Sequence, residues 1–214
     1  MVTTYDLQEG TEQIVQVLRF PTQHGYMTKT AQRAYVVAAI EHGLLPADAM
    51  RRAEIVSLKA PTDPNVPIQF WQLFSVLGPD PIIQIVQDFY VRVFEGEDWF
   101  TSVFARVGGV EYHINTQASM WADVMGGGPY YHGADFRLSF HHTYNAIALM
   151  NDRGAGRWVK LMQQALEACD EHLGDDPRVR IAVNTFLTHF LGKYAVEFGL
   201  GDVGAFGEVN GAVG

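Results

Sequence analysis

The chain has 214 residues, of which 48% are hydrophobic and 18% charged, and its formal net charge is −9. This composition is too apolar for a disordered chain, and its acidic balance argues against nucleic acid and anionic membranes as partners. The single cysteine, Cys169, excludes an intrachain disulfide and a metal site made of cysteines alone. Neither a secretory signal nor an apolar run long enough to cross a membrane is visible, so a cytoplasmic location is expected.

Residues 1–66 are predicted to form a helical extension, an arm followed by an αα-hairpin. The Ala-rich run of the first helix ends at His42 and Gly43, which is a C-terminal signal, and Pro46 lies near the first turn of a second helix. Three prolines within 61–67 mark the end of the extension. The hairpin is interpreted as a cap over the following helices or as a dimerisation or docking element, and we favour the cap.

Residues 67–200 are predicted to be helical almost throughout, which places the chain in the all-α class. Apolar residues recur at helical spacing in 82–93, 113–124, 158–166 and 179–194. The run Gly126–Pro129 ends one of these helices, and the last helix starts at Asp176-Pro177 and ends at Gly199. Residues 201–214 are rich in glycine and without periodicity, so a flexible tail is expected.

Histidines are the most informative residues, because four of the eight lie between His113 and His142. A single histidine is most often a surface or core residue, but a neutral imidazole also binds iron. His113 and Gln117 lie one turn apart on a helix face that is otherwise apolar. This face points either at a polar ligand inside the protein or at its wet edge, and periodicity alone favours neither interpretation.

Five segments, taken in order, resemble the truncated hemoglobins, the small globins of bacteria, protists and plants. They are FYVRVF (89–94), WFTSVF (99–104), the helix and Gly-Gly-Pro turn of 113–133, LSFHHTYNAI (138–147) and RWVKLM (157–162). The resemblance covers residues 70–198. It departs from the family where Leu77-Gly78-Pro79 replaces a Gly-Gly pair and where the loop 153–156 is long, and the first 69 residues have no counterpart.

The resemblance implies a globin-like two-over-two helical sandwich that encloses heme b. It identifies His142 as the iron ligand, because the family places an apolar residue five positions after this histidine and Ile147 occupies that position; His141 fits less well. The resemblance and the apolar pattern together predict a heme-binding set of Phe89, Phe104, Met120, Trp121, Tyr131, Phe140, Ile147 and Met162.

On the other face of the heme, the resemblance implies four polar side chains, Tyr90, His113, Gln117 and Trp158. They would surround a diatomic ligand (O2, NO or CO), and donors at fixed positions stabilise the negative charge that dioxygen acquires there. Four donors exceed what reversible carriage requires, so we predict oxygen, nitric oxide or peroxide chemistry or sensing. Such chemistry would be of the nitric oxide dioxygenase or peroxidase-like kind, with a reductase as partner. A further hypothesis is that His113 binds iron in the ligand-free state. If the N-terminal hairpin is a docking element and not the favoured cap, its helices would form a homodimer.

Two other classes of function stay open. One is a non-heme metal enzyme that uses His113, His141, His142 and a carboxylate such as Glu111 or Asp135. It lacks a known ligand spacing and leaves Tyr90 and its polar neighbours unexplained. The other is a helical interaction module that kept a globin fold and binds no heme.

Overall fold

The computed structural model describes residues 27–134, 138–143 and 145–211. Within these residues the regular structure is helical, and the predicted N-terminal arm up to residue 26 lies outside them. The α-helices are α1 (Lys29–Glu41), α2 (Ala53–Val56), α3 (Phe74–Leu77), α4 (Pro79–Phe94), α5 (Asp98–Ala105), α6 (Val110–Val124), α7 (Asp152–Ala168) and α8 (Pro177–Phe198). Single 3-10 turns cover Ala49–Arg51, Phe70–Gln72, Leu138–His142, Ala146–Leu149 and Asp170–Leu173. The all-α class predicted from the sequence is confirmed.

Helix ends follow the local signals in the sequence. Asp176 caps α8 by accepting a hydrogen bond from the Arg178 backbone N–H, and Pro177 occupies the first turn, where its missing N–H costs nothing. Gly199 ends the same helix in the left-handed conformation, with φ of 64°. The glycine run that begins at Gly126 follows directly on the end of α6, as predicted.

The centre of the fold is α4, which packs along both α6 and α7. Its buried side chains include Ile82, Val86 and Phe89, which repeat at helical spacing. Helix α6 in turn reaches α8, where the Trp121 ring meets Phe186 at a centroid distance of 4.9 Å. These four helices form the walls of the interior.

The second limb of the N-terminal hairpin is shorter than the sequence predicts. After Pro46 the chain forms only a 3-10 turn and the four-residue helix α2. Side chains from the following segment donate hydrogen bonds to the carbonyls of α2. Trp71 Nε1 donates to the Ile55 carbonyl at 2.7 Å, and Gln72 Nε2 donates to the Glu54 carbonyl at 2.7 Å. Because these carbonyls are satisfied from outside, a longer helix is not needed to pair them.

Two further sets of contacts fasten the leading segment to the rest of the chain. The Arg178 guanidinium donates to three carbonyls of the proline-rich loop 61–67 at 2.6–3.2 Å. The Tyr35 hydroxyl, on α1, donates to the Ala134 carbonyl at 2.5 Å. These contacts favour the cap interpretation, and dimerisation through this region stays a prediction.

The described part of the glycine-rich tail, residues 201–211, packs on the helices, whereas the sequence predicts a flexible tail. Residues 201–211 have no regular secondary structure, yet Phe206 is buried and its ring packs edgewise on Trp158. Asn210 Nδ2 donates to the Ile68 carbonyl at 2.9 Å, and Asn184 Nδ2 donates to the Glu208 carbonyl at 3.0 Å. One amide thus satisfies a carbonyl of the tail and the other, from the tail, satisfies a carbonyl of the helical body, so the tail is held in place without the apolar periodicity of a helix. Residues 212–214 lie outside the described residues.

None of the described helices is long and apolar enough to span a lipid bilayer.

A buried histidine, His189, lies on α8 and faces α1. His189 is 1% exposed and is surrounded by the rings of Tyr35, Phe70 and Phe190. Neither of its ring nitrogens has a hydrogen-bond partner among the described residues. Burial, with a smaller contribution from the nearby charges of Lys193 and His42, lowers the pKa of His189 to about 3.

We expect this histidine to make the fold sensitive to acid. The folded-state pKa lies below the unfolded value near 6.5, so as the pH falls below 6.5 the unfolded chain gains a proton here while the folded histidine stays neutral. The stability contributed by this group is therefore complete above that value and is lost as the pH falls. The free energy of unfolding should fall by about 2 kcal/mol between pH 7.5 and pH 5 through this group. Urea unfolding at both pH values measures it, and the His189→Phe variant should lack this part of the loss. Equal losses in the two proteins would contradict the assignment.

Candidate functional site

A cavity of about 270 Å³ lies between α4, α5, α6, α7 and α8. Its volume is near the lower end of the roughly 300–1,000 Å³ range that is typical of small-molecule sites. Its lining is mostly apolar, and it opens on the side where Tyr112, Tyr131 and Phe140 are exposed. Nine of the site residues predicted from the sequence line it: Tyr90, Phe104, His113, Gln117, Met120, Trp121, Tyr131, Phe140 and Trp158.

Four predicted site residues do not line this cavity. Phe89 is fully buried and packs against Trp158 with ring centroids 5.3 Å apart, so it supports the wall from behind. Met162 is a fully buried core residue. Ile147 and His142 lie at the surface, 40% and about half exposed.

A polar pair joins two walls of the cavity. The Tyr90 hydroxyl, on α4, donates to Gln117 Oε1, on α6, at 3.3 Å. The amide nitrogen of Gln117 lies 4.0 Å from Met120 Sδ, which is a weak acceptor. Burial raises the pKa of Tyr90, so the phenol stays a neutral donor at physiological pH. Tyr90 therefore donates its proton within the pair, and the amide N–H of Gln117 is the donor that the pair presents to a mostly apolar cavity.

His113 is held by the backbone rather than free in the cavity. Its ring stacks on Tyr90 with centroids 5.2 Å apart, and Nε2 lies 2.9 Å from the Phe104 carbonyl oxygen. Nε2 therefore carries the proton and donates, so it is closed to a metal while this bond persists. Burial lowers the pKa of His113, against the opposing pull of the Phe104 and Gly108 carbonyls.

The two adjacent histidines point in different directions. His142 faces outward: its Nε2 lies 2.6 Å from Glu197 Oε1, and its ring packs on Phe198. His141 lines the cavity, and burial lowers its pKa, which favours the neutral form that binds metals. The geometry thus favours His141 over the His142 that the family spacing suggested. The reason is that neighbouring residues of a 3-10 turn project about a third of a turn apart, so only one of them faces inward.

Part of the lining was not assigned to a site by the sequence. It comes from α8, which contributes Phe186, Leu187, Phe190 and Tyr194, and from Leu149 and Ala155 near the start of α7. The α8 residues had been identified as an apolar helix face, and their spacing of four was the available signal. Burial raises the pKa of Tyr194, whose hydroxyl faces His141.

Gly154 permits the close approach that shapes this end of the cavity. A Cβ atom at residue 154 would lie 2.1 Å from the Leu149 carbonyl oxygen, so a side chain does not fit there. The first turn of α7 can therefore pack directly on the 3-10 turn Ala146–Leu149, which helps to line the cavity.

The loop at the mouth of the cavity is organised by one buried carboxylate. Asp123, at the end of α6, is fully buried and accepts hydrogen bonds from five successive backbone N–H groups, those of residues 130–134, at 2.6–3.5 Å. Residue 128 must be glycine, because a Cβ there would lie 1.7 Å from Asp123 Oδ1. Asp123 thereby fixes the position of Tyr131 at the mouth.

We expect Asp123→Asn to reduce the free energy of unfolding by about 3 kcal/mol, because an amide keeps only one acceptor oxygen for these N–H groups. Denaturant unfolding measures the loss. Asp152→Asn is the matched control, since Asp152 is exposed and accepts a single backbone hydrogen bond from Gly201; its effect should stay below about 1 kcal/mol. Equal effects of the two changes would contradict the role given to Asp123.

The described residues contain no group of three or more histidine, cysteine, aspartate or glutamate side chains placed to hold a metal ion. Of the ligands considered for a non-heme site, His113 and His141 line the cavity, whereas His142 and Glu111 are exposed. Asp135 lies outside the described residues.

Comparisons with known proteins agree with the geometry. The family model of the bacterial-like globins matches residues 72–191. Two-on-two hemoglobin-3 of Arabidopsis thaliana is 30% identical over 121 residues, 55% of this chain and 65% of the relative. Group 2 truncated hemoglobin 3-1 of Lotus japonicus is 28% identical over 110 residues, 51% of this chain and 64% of the relative. No solved structure matches.

The chain belongs to the bacterial-like globin family, and its relatives are truncated hemoglobins. It spans somewhat less than two thirds of the length of the curated relatives it matches. Membership of this family implies heme as the cofactor.

Proposed function

We propose that the protein binds heme b in this cavity, with His141 as the iron ligand, and holds O2 or NO beside Tyr90 and Gln117. The observation that carries the proposal is one apolar cavity lined both by an inward histidine and by a tyrosine–glutamine pair. Heme ligated by a single histidine is the arrangement of globins. Heme supplies an iron atom that binds a diatomic gas and a flat apolar ring that fills the space.

The residues present fit such a group. Phe140 and Tyr131, at the mouth, are 50% and 37% exposed, although aromatic rings are normally buried. A flat apolar ligand that reaches out of the cavity would cover them, at a gain of about 25 cal/mol for each Å² removed from water. Type b heme fits, because the sole cysteine, Cys169, does not line the cavity and covalent attachment needs cysteines.

The polar wall determines how a gas ligand is held. Tyr90 and Gln117 project from two packed helices, so their positions are fixed beside a ligand. A ligand that gains negative charge would accept the Gln117 N–H directly, and it would accept the Tyr90 O–H after this bond rotates away from Gln117 Oε1. Trp158 adds an indole N–H from α7, and its ring is fixed between Phe89 and Phe206. The surrounding apolar lining excludes water and strengthens each of these hydrogen bonds.

These donors support tight oxygen binding and chemistry on the bound gas, of the nitric oxide dioxygenase or peroxidase-like kind, rather than simple carriage. Such turnover requires electrons from a reductase, and that partner remains part of the proposal. The homodimer through the N-terminal helices and the cytoplasmic location also stay predictions.

Replacing each of the two adjacent histidines tests the iron ligand. We expect His141→Ala to abolish or strongly shift the Soret band of the heme-reconstituted protein, because the inward imidazole is lost. His142→Ala, the matched control, should keep the wild-type spectrum. If His142→Ala changes the Soret band and His141→Ala does not, His142 is the iron ligand. A wild-type protein without a Soret band would overturn heme binding.

Removing the tyrosine hydroxyl tests the polar wall. We expect Tyr90→Phe to raise the oxygen dissociation rate about 10- to 100-fold, the equivalent of a hydrogen bond to a charged partner. Stopped-flow displacement measures this rate. Carbon monoxide acquires little charge, so its dissociation should change much less. An unchanged oxygen rate would show that Tyr90 does not contact the ligand.

The hydrogen bond of His113 to the backbone favours a five-coordinate iron when no gas is bound. The absorption spectrum of the ferrous protein without ligand distinguishes the two states. A six-coordinate spectrum that His113→Ala converts to a five-coordinate one would support the earlier hypothesis that His113 binds iron.

A further inference from the structure

The mouth loop, residues 130–134, ends in a backbone conformation that side chains disfavour. Ala134 has a φ of 70° and is the one residue other than glycine with a positive φ in the part of the chain that the structure describes. Gly133, directly before it, has a φ of 62°. A Cβ atom makes this left-handed conformation costly, so a residue that has one stays there only when its surroundings hold it.

The hold of Asp123 on the mouth loop is weakest at this last residue. The carboxylate accepts the N–H groups of residues 130–133 at 2.6–2.9 Å, whereas the Ala134 N–H lies at 3.5 Å, close to the limit of a hydrogen bond. Asp123 alone therefore does not account for the conformation of Ala134.

A second contact at Ala134 comes from the N-terminal helix α1. The Tyr35 hydroxyl donates to the Ala134 carbonyl at 2.5 Å. The N–H and C=O groups of one residue are separated only by its own φ and ψ, because the peptide bonds on either side are rigid. A contact at the carbonyl therefore restricts the two angles that the long contact at the N–H leaves loosely held.

The Tyr35 hydroxyl has a fixed position because its ring is packed on several sides. Tyr35 is 2% exposed, and the Lys193 ammonium lies 4.9 Å from its ring centroid. Three further rings lie with their centroids 5.6–5.9 Å away, those of Phe70, His189 and Phe190. Helix α1 thus presents this hydroxyl to the mouth loop from a rigid setting.

We propose that Tyr35 is a positioning residue of the cofactor site. Its hydrogen bond holds Ala134 in the left-handed conformation and thereby keeps Tyr131 in place at the cavity mouth, where the loop retains heme. The part that concerns heme rests on the proposed function. The leading segment then contributes to cofactor retention, although none of its described residues lines the cavity.

The test compares Tyr35→Phe with Arg178→Gln in the full chain. Tyr35→Phe removes only the hydroxyl, so the ring packing stays while the mouth loop loses a contact. Without added heme, amide hydrogen exchange of residues 130–134 should accelerate about 5-fold, the equivalent of one net hydrogen bond. After reconstitution, heme transfer to an excess of apomyoglobin should accelerate by a similar factor. Arg178→Gln loosens the leading segment at the proline-rich loop instead, so it should leave both rates at their wild-type values.

A second substitution separates the hold on the backbone from general packing. Glycine adopts a positive φ without strain, so in Ala134→Gly the loop should keep its conformation with less help from Tyr35. Tyr35→Phe should therefore change both rates less in the Ala134→Gly background than in the wild-type background. Equal effects in the two backgrounds would overturn the inference, and so would equal effects of Tyr35→Phe and Arg178→Gln.

The two readouts separate this inference from the proposed function. If wild type binds heme and Tyr35→Phe leaves both rates unchanged, the inference is overturned and the proposed function stands. Faster exchange with unchanged heme transfer would overturn the role in cofactor retention. A wild-type protein without a Soret band would overturn the proposed function and the role in retaining heme, and the exchange rates would then decide whether Tyr35 holds the mouth loop.

Discussion

The packing of α4 against α6 and α7 at the same time is the constraint on which the rest of the structure depends. The two packed faces of α4 direct its apolar side chains and Tyr90 inward, whereas Gln84, Asp88 and Arg92 lie on its outer side. Phe89 and Tyr90 illustrate this: the first supports Trp158 from behind, and the second projects toward Gln117. Adjacent residues of one helix thereby form both the support and the polar surface of the wall.

Buried polar groups fix the connections between these helices. Asp123 accepts hydrogen bonds from backbone N–H groups of the mouth loop. Arg178 donates to backbone carbonyls of the proline-rich loop, and Trp71 donates to a carbonyl of the leading segment. Each is a side chain that satisfies irregular backbone where no helix can. The helical shell thus owes its shape to apolar packing, whereas its loops owe theirs to a few charged or polar side chains.

The sequence predicted the helical class and the ends of α8 because each depends on nearby residues, whereas the polar set that includes Tyr90 and Gln117 came from the family resemblance. Periodicity and capping residues act within one or two turns of a helix. The resemblance to truncated hemoglobins added the order of the segments. Where spacing within the family was the only guide, as in the choice of His142, the geometry favours the neighbouring residue instead.

The remaining features depend on residues far apart in the chain. Whether His141 or His142 faces inward is set by contacts with Tyr194 and Glu197, more than fifty residues later. The shortening of the second N-terminal helix depends on side chains from Trp71 and Gln72. Local patterns contain no information about such partners, so a single sequence left these points open.

The packing of Phe206 on Trp158 bears on the order in which the protein is built. Phe206 lies downstream of every helix that the structure describes, so all of these helices leave the ribosome before the ring that backs Trp158 emerges. A nascent chain can therefore form the helical shell while one side of the cavity still lacks its outer layer. Capture of a large flat cofactor during synthesis would then precede the closing of that wall.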